Sequence, residues 1–488
     1  MNIHVVIIMV LFLAVTIGVG IYFSKRTKNS NEYWVGSNVG PWVTAISYVG
    51  TYYSTVALVG GPSSTYQYGL GYGIWQVAGT TWLFGLLPFL IMAVPMKKMS
   101  SRLGTVTVPG WLSARYGSDM IKLVSGALVA ILMIPYGTTI IKATGVLMET
   151  IAGIPYFWGI TICTLAVAAY MYCAGYLAVV TNDTIQGWIM LVGAMLIVPI
   201  AMTKVGGVSG LLTKLHEIDP KLLEIPGNLK PLNFISLAFV WGLICWGQPQ
   251  LLSRFYSIRS SRDLGVTMVV VCVFTTLMAS GFHANGLLAR AIYGNEFMTA
   301  TDQVIPTLAT EMLPEFLAAI FIAAALSASL STLSSTGLVA GSAVAKDIYE
   351  DIICKKAGKR LDEKRSLSFS KRCTLVTVLI SYVFAIWAPA GVFTLATLSQ
   401  GTIAACFTGT ILWSVYWKRG TKEGCLVSMI SGIVTTLVWY IIGQPFCHPY
   451  LPGVVVSIIT FPIASLLSPK PDPALVAKAF GLKPSLEK

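Results

Sequence analysis

Apolar residues along this chain gather into long runs of about 20, parted by short polar joints or by glycine and proline, and a run of that length crosses the hydrocarbon of a bilayer as one helix. About thirteen such runs are present, over residues 3–24, 41–66, 72–96, 120–148, 156–180, 182–204, 233–257, 264–291, 313–345, 369–388, 392–417, 424–443 and 450–468. The first is too long for a signal-peptide core and is followed at once by Ser24-Lys25-Arg26, so it reads as a retained membrane helix. Composition agrees. Of 488 residues 55% are hydrophobic and 11% charged, and the mean hydropathy is +0.74. Soluble chains carry roughly a quarter charged residues, so the expected solvent is lipid and the fold class is all-α integral membrane.

The formal charge of +13 would suggest nucleic acid in a soluble protein. Here most basic residues fall in alternate joints: Lys25, Arg26 and Lys28; Lys97, Lys98, Arg102, Arg115 and Lys122; Arg254, Arg259 and Arg262; and a dense cluster from Lys346 to Arg372. The positive-inside rule then puts the N-terminus outside and the C-terminus in the cytoplasm of a cell membrane. These charges read as topology determinants, and no nucleic-acid partner is implied. The nine cysteines are scattered without metal-ligand or redox spacing. No GxxxxGK[ST] loop is present to cradle ATP. No obligate protein partner is evident. The joint from Gly206 to Leu232 has mixed charge and suits a small amphipathic helix on the outer face.

Two runs are interrupted where lipid tolerates interruption poorly. The second holds Gly50, the hydroxyl-rich stretch Thr51 to Thr55, and Gly60-Gly61-Pro62; the seventh holds Gly247 and Pro249. They open two groups of five runs, the placement expected of discontinuous helices in an inverted-repeat transporter. The plainer alternative is that glycine and proline are frequent in membrane helices. The ninth run, Ala323 to Thr336, is dense in hydroxyls. Ser331 and Thr332, with the carbonyl of Ala328 one turn earlier, suit a small hard cation if a break in another helix adds carbonyls. Close helix packing by Ser and Ala is the alternative.

Four segments in order, GGPSSTYQYGLG (Gly60 to Gly71), VVTNDTIQG (Val179 to Gly187), WGQPQLLSRF (Trp246 to Phe255) and STLSSTGLVAGSAVAKDIY (Ser331 to Tyr349), resemble the sodium:solute symporter family over nearly the whole chain. The resemblance implies a five-plus-five inverted-repeat, LeuT-like core over 41–204 and 233–417, with one extra N-terminal and two extra C-terminal helices. It implies sodium as the co-transported ion, bound by the carbonyls of Gly50, Tyr53 and Ala328 and the hydroxyls of Ser331 and Thr332. Asp183 matches the family's helix-six aspartate, on the inward exit of the ion; a carboxylate at a helix N-terminus is the alternative. Proline transporters of the family carry an aspartate where this chain has Tyr52.

The solute is expected between the broken helices, near Tyr52, Tyr136, Trp241, Cys245, Trp246 and Pro249; of these Trp241, Cys245 and Pro249 match substrate-lining positions in the family's proline transporters. Lys142 is an ionisable residue within a span, hence a candidate partner for a solute carboxylate, or a side chain that snorkels to the interface. The segments Gly60 to Gly71, Ala152 to Tyr156 and Asn182 to Gln186 look most like the pantothenate branch, and the Gly247-Gln-Pro249 segment as much like the proline branch. The expectation is therefore sodium-coupled uptake of a small monocarboxylate such as pantothenate, with proline or a proton-coupled version behind it. A channel or sensor would need no stoichiometric coupling, and no His/Asp/Glu constellation for a membrane enzyme is apparent.

Overall fold

A computed structural model describes residues 3–24, 30–34, 39–173, 175–359, 361–387 and 392–482. Among them the chain is helical throughout, without strands beyond one isolated parallel bridge between Val39 and Ile258. The helices are α1 (Ile3–Ser24), α2 (Pro41–Tyr52), α3 (Thr55–Tyr68), α4 (Leu70–Leu103), α5 (Val108–Tyr116), α6 (Asp119–Ala152), α7 (Tyr156–Cys173), α8 (Tyr176–Val205), α9 (Gly207–Ile218), α10 (Pro231–Ile244), α11 (Pro249–Ser257), α12 (Asp263–Tyr293), α13 (Val304–Met312), α14 (Glu315–Cys354), α15 (Glu363–Ile386), α16 (Val392–Tyr416), α17 (Lys422–Ile441), α18 (Tyr450–Leu467) and α19 (Pro473–Phe480).

Among the described residues ten helices are long and apolar enough to cross a membrane, and the bent pair α10/α11 makes an eleventh. The other two expected spans do not pass: Tyr156–Tyr172 is apolar but shorter, and the second run is divided into pieces of 12 and 14 residues that carry many hydroxyls and glycines. A count of thirteen crossing helices therefore does not follow from length and apolarity alone. Leu90, Ile131, Val269, Phe384 and Val434 lie exposed on the outer surface of the bundle. That surface suits hydrocarbon. The amphipathic helix expected between Gly206 and Leu232 is α9.

At the centre stands α14. Its apolar window is 78% buried, against 28% for α1, because α6, α8 and α15 pack around it. The hydroxyls of Ser327, Ser329, Ser331, Thr332, Ser334 and Ser335 are therefore all inside the protein.

Both interruptions are real, but one is displaced from its expected cause. Gly60-Gly61-Pro62 continues as helix within α3; the close approach there is made from the other side, where a Cβ on Gly286 of α12 would fall 2.2 Å from the Pro62 carbonyl. The break lies at Tyr53 and Ser54, both extended, and the Ser54 hydroxyl accepts from Val56 N–H at 3.2 Å to cap α3. The second break bends α10 from α11 by 51°. Pro249 begins α11, where its missing N–H costs nothing, and holds Gln248 extended before it. Gly247 is pressed on α16: a Cβ there would stand 2.8 Å from the Cα and the carbonyl oxygen of Ala404 and 2.9 Å from Thr408 N.

Because those neighbours are backbone and cannot turn aside, Gly247→Ala is expected to destabilise the protein by about 1–3 kcal/mol, seen as a lowered melting temperature in detergent. An unchanged melting temperature would show that the break does not depend on this approach.

Candidate functional site

The break after α2 creates acceptors without helical partners. In an unbroken helix Ser54 N–H would reach Gly50 and Ala57 N–H would reach Tyr53; instead Ser54 donates to Tyr52 at 3.1 Å and Ala57 to Ser54 at 2.9 Å. The freed Gly50 carbonyl accepts from Ser331 Oγ at 2.9 Å, and the Thr51 carbonyl from Thr332 Oγ1 at 3.1 Å. Both hydroxyls also face the Ala328 carbonyl, at 3.3 and 3.2 Å. Each hydroxyl has one proton for two carbonyls. Three carbonyls and two hydroxyls thus converge, and an all-oxygen set without formal charge suits a small hard cation. Gly50, Ala328, Ser331 and Thr332 come together as expected. The backbone oxygen of Thr51, which the sequence did not single out, joins them; the expected Tyr53 carbonyl is freed by the same break, since Ala57 N–H turns to Ser54, but accepts from neither Ser331 nor Thr332.

One turn along α14 lies a buried ion pair. Asp183 is not at a helix N-terminus: α8 starts at Tyr176, so the carboxylate sits two turns inside it. Its Oδ2 accepts from Arg254 Nη2 at 2.8 Å, Ser47 at 3.0 Å and Thr51 Oγ1 at 3.2 Å. The two charged side chains are 0% and 1% exposed. Arg254 Nη2 also reaches Ser335 at 2.7 Å and Thr51 Oγ1 at 2.9 Å, and its guanidinium lies over the Tyr176 ring. The other oxygen, Asp183 Oδ1, has no hydrogen-bond partner. Arg254 corrects the sequence reading: it is no topology charge in a loop but the counter-ion of Asp183. Arg115 is likewise buried, donating to the carbonyls of Ser414 and Trp417. A charge inside a predicted span was the available signal for Arg254.

Above the break is a cavity lined by Tyr52, Ser54, Ser64, Tyr72, Gln76, Trp241, His283 and Gln400 among others. Of the expected solute-contacting residues it gathers Tyr52 and Trp241, joined by a 2.7 Å bond from the Tyr52 hydroxyl to the Trp241 carbonyl. Tyr136 is buried beside Ser54. Cys245 and Trp246 point to α4, where the indole donates to Leu83 at 2.7 Å, and Pro249 lines a separate small cavity with Trp34 and Ser253. Lys142 is half-buried on α6, near Asp302, and is not on the cavity wall. His283 faces the cavity and is hydrogen-bonded to Thr65. Gln76, Gln400 and His283 are among the wall residues that no sequence feature singled out.

The family model for the sodium:solute symporter family matches residues 33–432. The chain belongs to the sodium:solute symporter family. As a member it is a multi-pass membrane transporter of small solutes with sodium as coupling ion, and not an enzyme. It is 29% identical to the sodium/pantothenate symporter of Haemophilus influenzae, over 96% of this chain and 97% of that one. It is also 29% identical to the high-affinity proline transporter PutP of Bacillus subtilis, over 94% and 97%. The fold matches a sodium-coupled sialic acid symporter solved in a substrate-bound outward-open state, with TM-score 0.83 at 20% identity over 96% of this chain and 99% of that one. The nucleobase-cation symporter Mhp1 in a closed conformation follows, with TM-score 0.57 at 12% identity over 92% and 98%.

In this symporter a buried ion pair holds α11, the second half of a broken helix, and removing one partner leaves an uncompensated charge. Arg254→Met or Asp183→Leu alone is expected to cost about 3–5 kcal/mol, and the double variant distinctly less than the sum. Thermal melting of the four proteins tests this, and additive losses would contradict it.

Proposed function

We propose that the protein carries a small monocarboxylate such as pantothenate into the cytoplasm together with sodium, by alternating access. Sodium binds among Gly50, Thr51, Tyr53, Ala328, Ser331 and Thr332, and fixes the form open to the outside. The reading rests above all on two α14 hydroxyls meeting carbonyls freed by the α2 break, because that contact lets one ion bind two helices that must otherwise part. Coupling is then the difference in ion affinity between the two states. One sodium crossing 100 mV contributes about 2.3 kcal/mol and a tenfold gradient about 1.4 more. Together these support roughly 500-fold accumulation, so a single ion is enough.

Asp183, with one oxygen unpaired, receives the ion on its way inward. The two repeats over 41–204 and 233–417 supply the moving parts, with the N-terminus outside and the C-terminus inside. The cavity at Tyr52 and Trp241 holds the solute. Pantothenate is favoured by the sequence likeness around Gly60 to Gly71 and by the relatives of that name, and proline is the second reading because the proline transporters are equally similar.

Uptake of labelled pantothenate and proline into proteoliposomes, with sodium or choline outside at fixed pH, tests the assignment. Sodium-driven pantothenate accumulation is expected; sodium-driven proline uptake alone would replace the solute, and uptake indifferent to sodium would refute the ion. Ser331→Ala/Thr332→Ala should reduce the sodium-dependent component more than tenfold. A wild-type sodium response in that variant would remove the site.

A further inference from the structure

Three glutamines bridge the second break to the solute cavity. Gln250 Nε2 donates to Gln248 Oε1 at 2.8 Å, and Gln248 Nε2 donates to Gln400 Oε1 at 2.6 Å. All three are buried, and only Gln400 lines the cavity. Gln400, Ala404 and Thr408 lie four residues apart along α16, on one face, and the break is pressed on that face through Gly247. An amide has a donor end and an acceptor end, so three amides in series share one direction. With the Gln400 oxygen taken by Gln248, its NH2 is the group left for the cavity.

The buried end fixes that direction. There Gln250 Oε1 has no partner. Gln250 stands four residues before Arg254 on α11, and its backbone carbonyl accepts from Arg254 Nη1 at 3.4 Å. Run the other way, the series would leave the buried Gln250 NH2 with two protons and no acceptor, a rarer and costlier state than an oxygen with unused lone pairs.

We propose that Gln250 and Gln248 are positioning residues that hold the Gln400 amide with its NH2 toward the solute, making the cavity selective for a hydrogen-bond acceptor such as a carboxylate. This rests on the reading of the cavity as the solute site. Gln250 touches no solute, yet its replacement by the isosteric glutamate removes the donor at the start of the series. Gln248 then turns its NH2 to residue 250, Gln400 turns its own to Gln248, and an oxygen faces the solute.

The test is inhibition of sodium-driven uptake by two competitors differing at one group, pantothenate and its alcohol analogue pantothenol, with proline and prolinol as a second pair. The unaltered protein should prefer each acid over its alcohol, and Gln250→Glu should lower that preference at least tenfold, with Gln250→Leu lowering it less. Gln248→Glu makes the same reversal and serves if Gln250→Glu does not fold; Gln400→Glu should act likewise from the cavity wall. Equal loss of acid and alcohol in these variants, or an unchanged preference, would overturn the amide series alone. Failure of the unaltered protein to recognise either acid would overturn the solute reading and this inference with it.

Discussion

Backbone carbonyls cannot be left unpaired at membrane depth, and the rest of the site follows from how this chain meets that constraint. The two-residue break at Tyr53 and Ser54 strips Gly50 and Thr51 of helical partners, and α14 answers with Ser331 and Thr332. A hydroxyl is a good substitute because it can donate to a carbonyl when the site is empty and turn its lone pairs to a cation when one arrives. A hydrophobic residue at either position would leave a carbonyl orphaned, at a cost of about 1–3 kcal/mol each. These groups therefore close the fold and, with the Ala328 carbonyl, make up the proposed ion site.

Thr51 joins that site to the ion pair behind it. Its carbonyl accepts from Thr332 while its hydroxyl receives Arg254 and donates to Asp183. Arg254 in turn belongs to α11, the second half of the other broken helix, which the bridge of Val39 to Ile258 ties to the start of α2. A cation that reorganises the Gly50 and Thr51 carbonyls thus acts on a threonine shared with the only fully buried ion pair among the described residues. Both broken helices meet at this point.

Much of this was legible in the sequence. Run length and composition gave the all-helical membrane class, and the hydroxyl density of Ala323 to Thr336 pointed to the helix that carries the site. What escaped had physical reasons. Gly60-Gly61-Pro62 looked like a break, but glycine and proline serve packing as readily as rupture, and only the redirected Ser54 N–H shows where the helix ends. Arg254 was read with the loop charges because its partner is 71 residues away in sequence, and no local pattern announces so distant a counter-ion. The glutamines at 248, 250 and 400 are unremarkable until the fold sets them in line. Cys245, by likeness, and Trp246, by its place in the broken helix, were expected near the solute, yet both side chains reach the Leu83 carbonyl of α4.

The uncharged cluster of oxygens at the α2 break is expected to bind sodium by itself. Equilibrium binding of radioactive sodium to the purified, unaltered protein, without solute and with potassium as the background salt, addresses it directly. Saturable binding that potassium does not displace is expected; no saturable sodium binding, or equal displacement by potassium, would refute sodium binding at this cluster.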